Sequence, residues 1–413
     1  MSPGFCASIN TLASHSCTAY HYSAFMTFVL ILSFFLLLVY VGLLFYYHLG
    51  WLQIPVFDPP NISLQPSTFI TVLIPARNEE QNLPRLLDSL VAQTYSTELF
   101  EVIVMDDHST DGTVTAAQRY ANVKVFSLKD YISPDSINSY KKKAIEIGIQ
   151  QSRGTLIVST DADCYAPENW LQTIAGFYET HQPELIVMPV AINCSLKAIE
   201  IFQALDFMTL QGITGASVYK KMHSMCNGAN LAYTRKAFDA VHGFTGIDKI
   251  ASGDDMLLMH KISLEFPGGI AYLKSPEVIV QTAAVNTVKE FFNQRIRWAS
   301  KADKYDDKRI FWVLLLVYFF NVMLLALPVV SMFSDSEWSI INGQWPILEA
   351  WFLLLLVKTV AELLFLYPVA KFFQKQSLLW LFPLAQPFHI VYTVIAGWLG
   401  KFGTYEWKER KVK

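Results

Sequence analysis

Charge is scarce in this chain. Only 16% of its 413 residues are Asp, Glu, Lys or Arg, while 53% are apolar or aromatic. Soluble domains carry roughly a quarter charged residues, so this composition, with a mean hydropathy of +0.31, excludes an ordinary soluble protein and points to a membrane protein. Strong charge of one sign is also missing. The net charge of −3 implies no nucleic acid and no other polyelectrolyte partner. Five cysteines are present and none has metal-ligand spacing. Cys164, Cys194 and Cys226 fall in the portion that reads as soluble, assigned to the reducing cytoplasm; Cys6 and Cys17 precede the first apolar run and can pair if that end is periplasmic. There is no internal repeat, no low-complexity tract, and no Ser/His/Asp or Cys/His arrangement for nucleophilic catalysis. His108, His223, His242 and His260 read as structural or exposed.

What the chain does have is long apolar runs. Residues 24–47 carry no charge and suffice to cross roughly 30 Å of hydrocarbon as a helix. No Lys or Arg precedes that run and no small-residue cleavage site follows it, which disfavours a cleaved signal peptide. Residues 1–23 are therefore expected to be extracytoplasmic. Further spans are expected at 310–332 and 347–370. The latter holds Lys358 and Glu362 at an i,i+4 spacing, read as a structural pair in preference to a lipid-substrate contact. The stretch 334–345 has acids and no Lys or Arg, so it should lie outside; Lys371, Lys375 and the basic tail at 400–413 should lie inside. A full fourth crossing would push that tail outside. Residues 377–399, with Pro383, Pro387 and Gly397, are therefore expected to form a Pro-broken re-entrant or interfacial hairpin, with a fourth membrane segment as the alternative.

Between the first two spans, residues 66–285 alternate apolar β-branched runs ("FITVLIPA", "FEVIVMDD", "VKVFSL", "TLIVSTDAD") with helical periodicity. That pattern predicts an α/β domain around a parallel sheet, with ligands bound at the carboxyl ends of the strands. Those ends read "PARNEE", "MDDHSTDGT" and "TDADC". Clustered carboxylates repel unless a cation joins them. Mg2+ or Mn2+ with a nucleotide diphosphate is one solution, since these ions bind through one or two carboxylates plus phosphate oxygens. Helix caps and turns are the competing use of such acids. After the domain, residues 286–309 read as an amphipathic interfacial helix. Val288, Phe291, Phe292, Ile296 and Ala299 are expected to face the membrane, and "QRIRW" serves either as a headgroup anchor or as part of a site that opens there.

Taken together, "VLIPARNEE", "VMDDHSTDGT", "DADC", "CNGANLAY", "SGDDMLLMHK" and "QRIRWASK" resemble the membrane-bound inverting glycosyltransferases of family 2, from about Phe69 to Lys301. One span before the domain and several after it is similar to the ceramide glucosyltransferase-like branch. The resemblance implies a GT-A domain inserted between transmembrane helices of a multi-pass protein of the inner (plasma) membrane, with the catalytic domain cytoplasmic. It implies transfer of a sugar from a UDP- or GDP-sugar to a lipid acceptor, giving a glycolipid of the cell envelope. By the same resemblance, Pro75, Ala76 and Glu79 contact the nucleotide; Asp106 and Asp107 hold base and ribose; Asp161 and Asp163 form the DxD metal site, with Asp161 also at the donor; Asp255 is the general base, preceded by Asp254 where many members have Glu; and Gln294, Arg297 and Trp298 are the QxxRW residues. Lys141, Lys142 and Lys143 fall where the family often has a lysine near the nucleotide, although a triple lysine also reads as a solvated helix start. A processive polysaccharide synthase, a polyprenyl-phosphate glycosyltransferase and a membrane scaffold with an inactive transferase domain are the alternatives. Donor sugar, acceptor and oligomeric state stay open.

Overall fold

The β-branched run Ile70–Ala76 forms strand β1, and it is buried along nearly its whole length. It is flanked in parallel by β2 (Phe100–Asp106) and β4 (Leu156–Ser159), and β3 (Val123–Ser127) continues the parallel set beside β2. The computed structural model describes residues 4–58, 66–132, 139–222, 225–248, 250, 253–300, 308–332, 347–403, 405–407 and 410–412. His223, the acidic stretch 334–345 and the basic residues of 301–307 lie outside the described residues. With β6 (Leu185–Val187), β8 (Leu231–Thr234) and β9 (Ile270–Tyr272), the sheet has seven strands in the order β3-β2-β1-β4-β8-β6-β9.

The sheet is not wholly parallel, as the alternation of strands and helices had suggested. β8 runs antiparallel between β4 and β6, with Leu231 opposite Ser159. Its first residue thus lies at the edge where β4 ends. The preceding loop, Asn227–Asn230, is delivered to the same edge as the carboxylates. Three short strands, β5 (Cys164–Tyr165), β10 (Val280–Ala283) and β7 (Val190–Asn193), form a second sheet in that order.

Helices α2 (Leu83–Val91), α3 (Thr113–Ala117), α4 (Tyr140–Gln151), α5 (Trp170–His181), α6 (Ala198–Tyr219), α7 (Arg235–Ala240) and α8 (Met256–Glu265) cover the sheets. α4 lies close on β1 and β2 because residue 148 is glycine; a Cβ there would overlap the Leu73 and Met105 side chains. That close seat aims the first turn of α4 along the strands toward their carboxyl edge.

Among the described residues, four helical segments are long and apolar enough to cross a membrane: Phe25–Gln53, Lys308–Ser331, Ile347–Phe372 and Gln376–Phe402. The first belongs to α1 (Gly4–Gln53); α10 (Lys308–Ser331) and α11 (Ile347–Phe372) are the next two. α1 runs past the expected end at residue 47 and finishes within the α/β domain. Trp51 is only 1% exposed, and its ring meets Tyr272 and Phe372 edge-on. Lys274 donates to the Trp51 carbonyl at 2.9 Å and stands 4.3 Å over the indole, capping the carbonyl end of α1 with a cation. Lys358 and Glu362 pair at 2.7 Å on one face of α11, as their spacing predicts, and Tyr40 and Gln386 complete the group.

Residues 377–399 depart from the expected broken hairpin. A 3-10 turn, Gln376–Leu381, leads into one helix, α12 (Phe382–Phe402). Pro383 stands in its first turn, where the missing N–H has no partner to lose, and the helix continues through Pro387. A short hairpin follows, β11 (Tyr405–Trp407) with β12 (Arg410–Val412).

Candidate functional site

The carboxyl ends of β1 and β2 are locked to each other before any ligand is considered. The Asp107 N–H donates to the Ala76 carbonyl at 2.8 Å. Beyond it the two loops are cross-braced: Asn78 N–H to Ser109 Oγ at 3.0 Å, Thr110 N–H to Asn78 Oδ1 at 2.9 Å, Glu79 N–H to Thr113 Oγ1 at 2.7 Å, and Gly112 N–H to Glu80 Oε2 at 3.0 Å. Asn78 and His108 take positive φ angles of 52° and 54° at the two bends, a conformation uncommon for residues other than glycine and more frequent for Asn and His. Asp106 is buried; Ser109 N–H and Ser127 Oγ donate to its two oxygens at 3.2 and 3.1 Å. Asp107 has Oδ1 3.1 Å from His108 Nδ1, and the Arg77 guanidinium donates to its carbonyl at 2.9 Å. Glu79, also buried, accepts from Asn82 Nδ2 at 2.8 Å. Pro75 and Ala76, the last residues of β1, line the same edge. Arg77, which the sequence reading passed over, and His108, which it took as structural or exposed, stand at the rim of these loops.

The second group forms where β4 ends. Lys141, in the first turn of α4, places its ammonium 2.8 Å from Asp161 Oδ1 and 3.1 Å from Asp254 Oδ2. Burial alone would lower its pKa; Asp161 and Asp254, with Asp255 behind them, outweigh that and hold it above the ordinary lysine value. Asp255 caps α8: Oδ1 accepts the Met256 N–H at 2.7 Å and Oδ2 the Gly228 N–H at 3.1 Å. A side chain at Gly228 would stand 3.2 Å from Asp254 Oδ2 and 3.5 Å from the Lys141 ammonium, so the glycine keeps this space open. Residues from α4, β4, α8 and the loop before β8 thus converge on one cluster. The triple lysine is not a solvated helix start. Lys142 is 2% exposed and donates to the Ile247 and Ile250 carbonyls, both at 2.7 Å. Only Lys143 makes a surface pair, with Glu146.

Asp163 sits one residue before β5, whose Cys164 Sγ lies 3.8 Å from Asp163 Oδ1. Burial, then the Asp163 and Asp161 charges, push the Cys164 thiol up, so it is a neutral core group and not a thiolate ligand or nucleophile. Cys164 pairs with Thr282 of β10. Six residues after Thr282 the chain enters α9 (Val288–Ala299), started by a reciprocal capping box between Thr287 and Glu290. The small sheet therefore ties the "DADC" and "QRIRW" segments together, although they are far apart in the chain.

α9 departs from the expected arrangement. Its apolar face is not open to lipid: Phe291 is 0% exposed and packs on Phe202, Phe388 and Tyr392, with Ile296 and Ala396 in the same cluster. α6 and α12 cover that face; Val288 alone of its predicted residues stands exposed. Arg295, which the motif reading passed over, is the buried cation of the segment. It pairs with Asp206 of α6 at 2.6 Å, donates to Gln294 Oε1 at 2.9 Å, and lies 4.2 Å over the Trp298 ring and 4.6 Å over Phe291. Trp298 also meets Phe207. Gln294, Trp298 and Arg297 are half-buried. The available signal for this pair was a lone acid inside the apolar run "IFQALDFMTL".

Residues 71–241 match the glycosyl transferase family 2. Among curated proteins, the chain is similar to glycosyltransferase AglE of Haloferax volcanii, 33% identical over 112 residues, covering 26% of this chain and 36% of that protein. It is also similar to the probable glycosyltransferase YdaM of Bacillus subtilis, 25% identical over 298 residues, covering 66% of this chain and 68% of that protein. The chain thus spans about a third of AglE's length and two thirds of YdaM's. Among solved structures, the mannosyltransferase PcManGT from Pyrobaculum calidifontis, in complex with GDP-Man and Mn2+, superposes with a TM-score of 0.52 at 18% identity, covering 90% of this chain and 98% of that one. Residues 71–241 of this chain are therefore a family 2 glycosyltransferase domain, built on a GT-A type α/β fold.

Proposed function

We propose that this glycosyltransferase moves a sugar, with inversion, from a nucleotide diphosphate sugar to a lipid acceptor at the cytoplasmic face of the membrane. The observation that carries the reading is the cluster Asp161, Lys141, Asp254 and Asp255 at the carboxyl edge of the sheet, beside the braced loops of Asp106 and Asp107 and on a domain whose α6 and α9 pack against apolar helices. One span before the domain and several after it is the arrangement of the ceramide glucosyltransferase-like branch.

The braced loops offer a pre-formed seat for base and ribose, with Asp107, Pro75 and Ala76 at its wall and Asp106 and Glu79 holding its shape. Asp255 takes the acceptor proton. Its carboxylate accepts one N–H on each oxygen, and each oxygen has a further lone pair, so the group is oriented with a site left to accept the proton. Lys141 can exchange Asp161 for a diphosphate oxygen when the donor arrives, since both partners are anions competing for one ammonium. Arg297 and Trp298 complete the acceptor side, seated by Arg295. A divalent cation fits the donor set: Asp161 has a side chain 36% exposed, carboxylate oxygens suit Mg2+ or Mn2+, and these ions draw the rest of their shell from phosphate and water. Among the described residues no three ligating side chains converge; Asp161 and Asp163 would hold the ion together with the donor. When bound, the ion would neutralise charge on the departing diphosphate.

The test is transfer of label from a panel of UDP- and GDP-sugars, with Mn2+, by native membranes containing the protein. Label should enter the organic phase, EDTA should abolish it, and Asp255→Asn should bind donor near-normally with almost no transfer. Label in an insoluble polymer would favour a processive synthase. Donor binding lost together with activity in Asp255→Asn would move that residue to the nucleotide site.

A further inference from the structure

We propose that Lys142 is a positioning residue: its buried ammonium gathers backbone carbonyls of the segment between α7 and α8, and so sets where Asp255 stands relative to Lys141. The inference rests on the reading of Asp255 as the base and of Lys141 as the partner of the diphosphate.

Lys142 is buried to the tip, and an enclosed ammonium is costly unless its protons find acceptors. Here it donates to the Ile247 and Ile250 carbonyls, each at 2.7 Å. These two carbonyls belong to one tight turn, in which the Ile250 N–H also returns to the Ile247 carbonyl at 3.3 Å. A compact ammonium with three protons suits acceptors gathered in this way. Ser139, buried at the N-cap of α4, donates its hydroxyl to the Asp248 carbonyl between them. Three carbonyls of the segment, at 247, 248 and 250, thus meet the first turn of α4.

The same segment is held from its other side by α8. Lys261 donates to the Gly243 and Thr245 carbonyls at 2.6 and 2.8 Å. It is therefore a strut between α4 and α8, with an ammonium of each helix on its backbone. α8 is the helix that Asp255 caps, and Gly253, at a φ of 79°, turns the chain into Asp254 and Asp255. Neighbouring lysines of α4 then serve two purposes. Lys141 meets the acids themselves, with Asp254 at 3.1 Å and Asp161 at 2.8 Å; Lys142 holds the backbone that leads to Asp254. A residue that only filled this volume would need no charge, since Met would occupy it without burying an ammonium. The charge serves geometry: it fixes the distance from the base to the site of the departing diphosphate. Donor contacts lie on the ends of β1, β2 and β4, so a shift of α8 would leave them in place, while a displacement of about 1 Å between base and acceptor costs about a hundredfold in rate.

The test uses the full chain in lipid nanodiscs, with Lys142→Met against wild type and Lys143→Met as the surface control. Lys142→Met should melt within a few degrees of wild type and bind UDP or GDP with Mn2+ at unchanged Kd. Its kcat for transfer from the panel of labelled UDP- and GDP-sugars to lipid should fall about a hundredfold, while Lys143→Met behaves as wild type. Melting temperature, nucleotide affinity and rate that fall together would make Lys142 an ordinary core residue and overturn the proposal. An unchanged rate, or a matching loss in Lys143→Met, would overturn it as well. If Lys142→Met does not fold, Ser139→Ala removes the neighbouring bond to the Asp248 carbonyl and should show the same split on a smaller scale; a wild-type rate there overturns the proposal. Asp255→Asn, run in parallel, separates the two claims. If it keeps transfer, the base reading fails; if it loses transfer while Lys142→Met keeps it, the positioning alone fails.

Discussion

The Asp206–Arg295 pair permits a worked prediction, because its burial decides its energetics. Both side chains are at most 5% exposed and the N–O distance is 2.6 Å. Removing one partner of such a pair leaves a buried charge and costs about 3–5 kcal/mol. The two halves are not equivalent. In Asp206→Leu the guanidinium still lies over Trp298 and Phe291 at 4.2 and 4.6 Å, and a desolvated cation–π contact returns up to about 2 kcal/mol, so the loss falls at the low end. In Arg295→Met the carboxylate keeps the Tyr392 hydroxyl and, at a longer 4.0 Å, His389 Nε2, but it loses its close guanidinium and no aromatic face can help an anion, so the loss falls at the high end. With about 2–4 °C per kcal/mol for a domain near this size, the single variants should melt roughly 6–12 °C and 10–20 °C lower. The double variant, Asp206→Leu with Arg295→Met, replaces the pair by apolar groups and should recover most of that loss, since such replacements are often neutral. Melting in lipid nanodiscs followed by intrinsic fluorescence reads all four states of the cycle. Transfer activity should stay low in the double variant even as stability returns, because Trp298 has lost the cation that seats it. Single losses that simply add in the double variant would refute the coupling and reduce the pair to a surface-like contact.

Three further expectations are independent of that cycle. Lys141→Met frees Asp161 from its competing ammonium, so donor-free protein should bind Mn2+ more tightly in an EPR titration while turnover falls on the order of ten- to a hundred-fold, the worth of a charged hydrogen bond; weaker Mn2+ binding would contradict the competition. Arg297→Lys should insert at normal levels and lose most transfer activity, because an ammonium cannot supply the bidentate fork of a guanidinium; unchanged turnover would leave the residue as an anchor only. Burial pulls Lys274 down to about 8, below its unfolded value, so between about pH 8 and 10.4 the unfolded chain binds more protons and stability should rise with pH. Lys274→Met should flatten that rise in melts at pH 7.5, 9 and 10.

The strand ends were legible because a buried parallel strand writes itself as a continuous apolar run, and the acids that close "FEVIVMDD" and "TLIVSTDAD" stand where such a run must stop. The direction of β8 was not legible, since "LAYT" reads the same in either sense and only its neighbours decide. α9 announced an apolar face through its periodicity, but periodicity does not say whether lipid or protein covers it, and α12 lies about a hundred residues further on. Arg295 and Asp206 were missed for a similar reason: the motif drew attention to Arg297, and an ion pair across 89 residues leaves no local pattern. Lys141 was ambiguous because three lysines in a row look alike until the fold sends one to the carboxylates, one to backbone carbonyls and one to solvent.

The junction at Trp51 has a consequence for selectivity. Because α1 ends inside the α/β domain, gripped by Lys274 and packed through Gly50 on Ala216, the carboxyl edge of the sheet is fixed relative to α1 and does not swing on a tether. It is mounted on α1 as a gauge is mounted on its stand. If the acceptor is a lipid and Asp255 its base, as proposed, the acceptor hydroxyl must then stand at one fixed height above its own acyl chains, and a headgroup longer or shorter by one building block should be a poor substrate, whatever its chemistry.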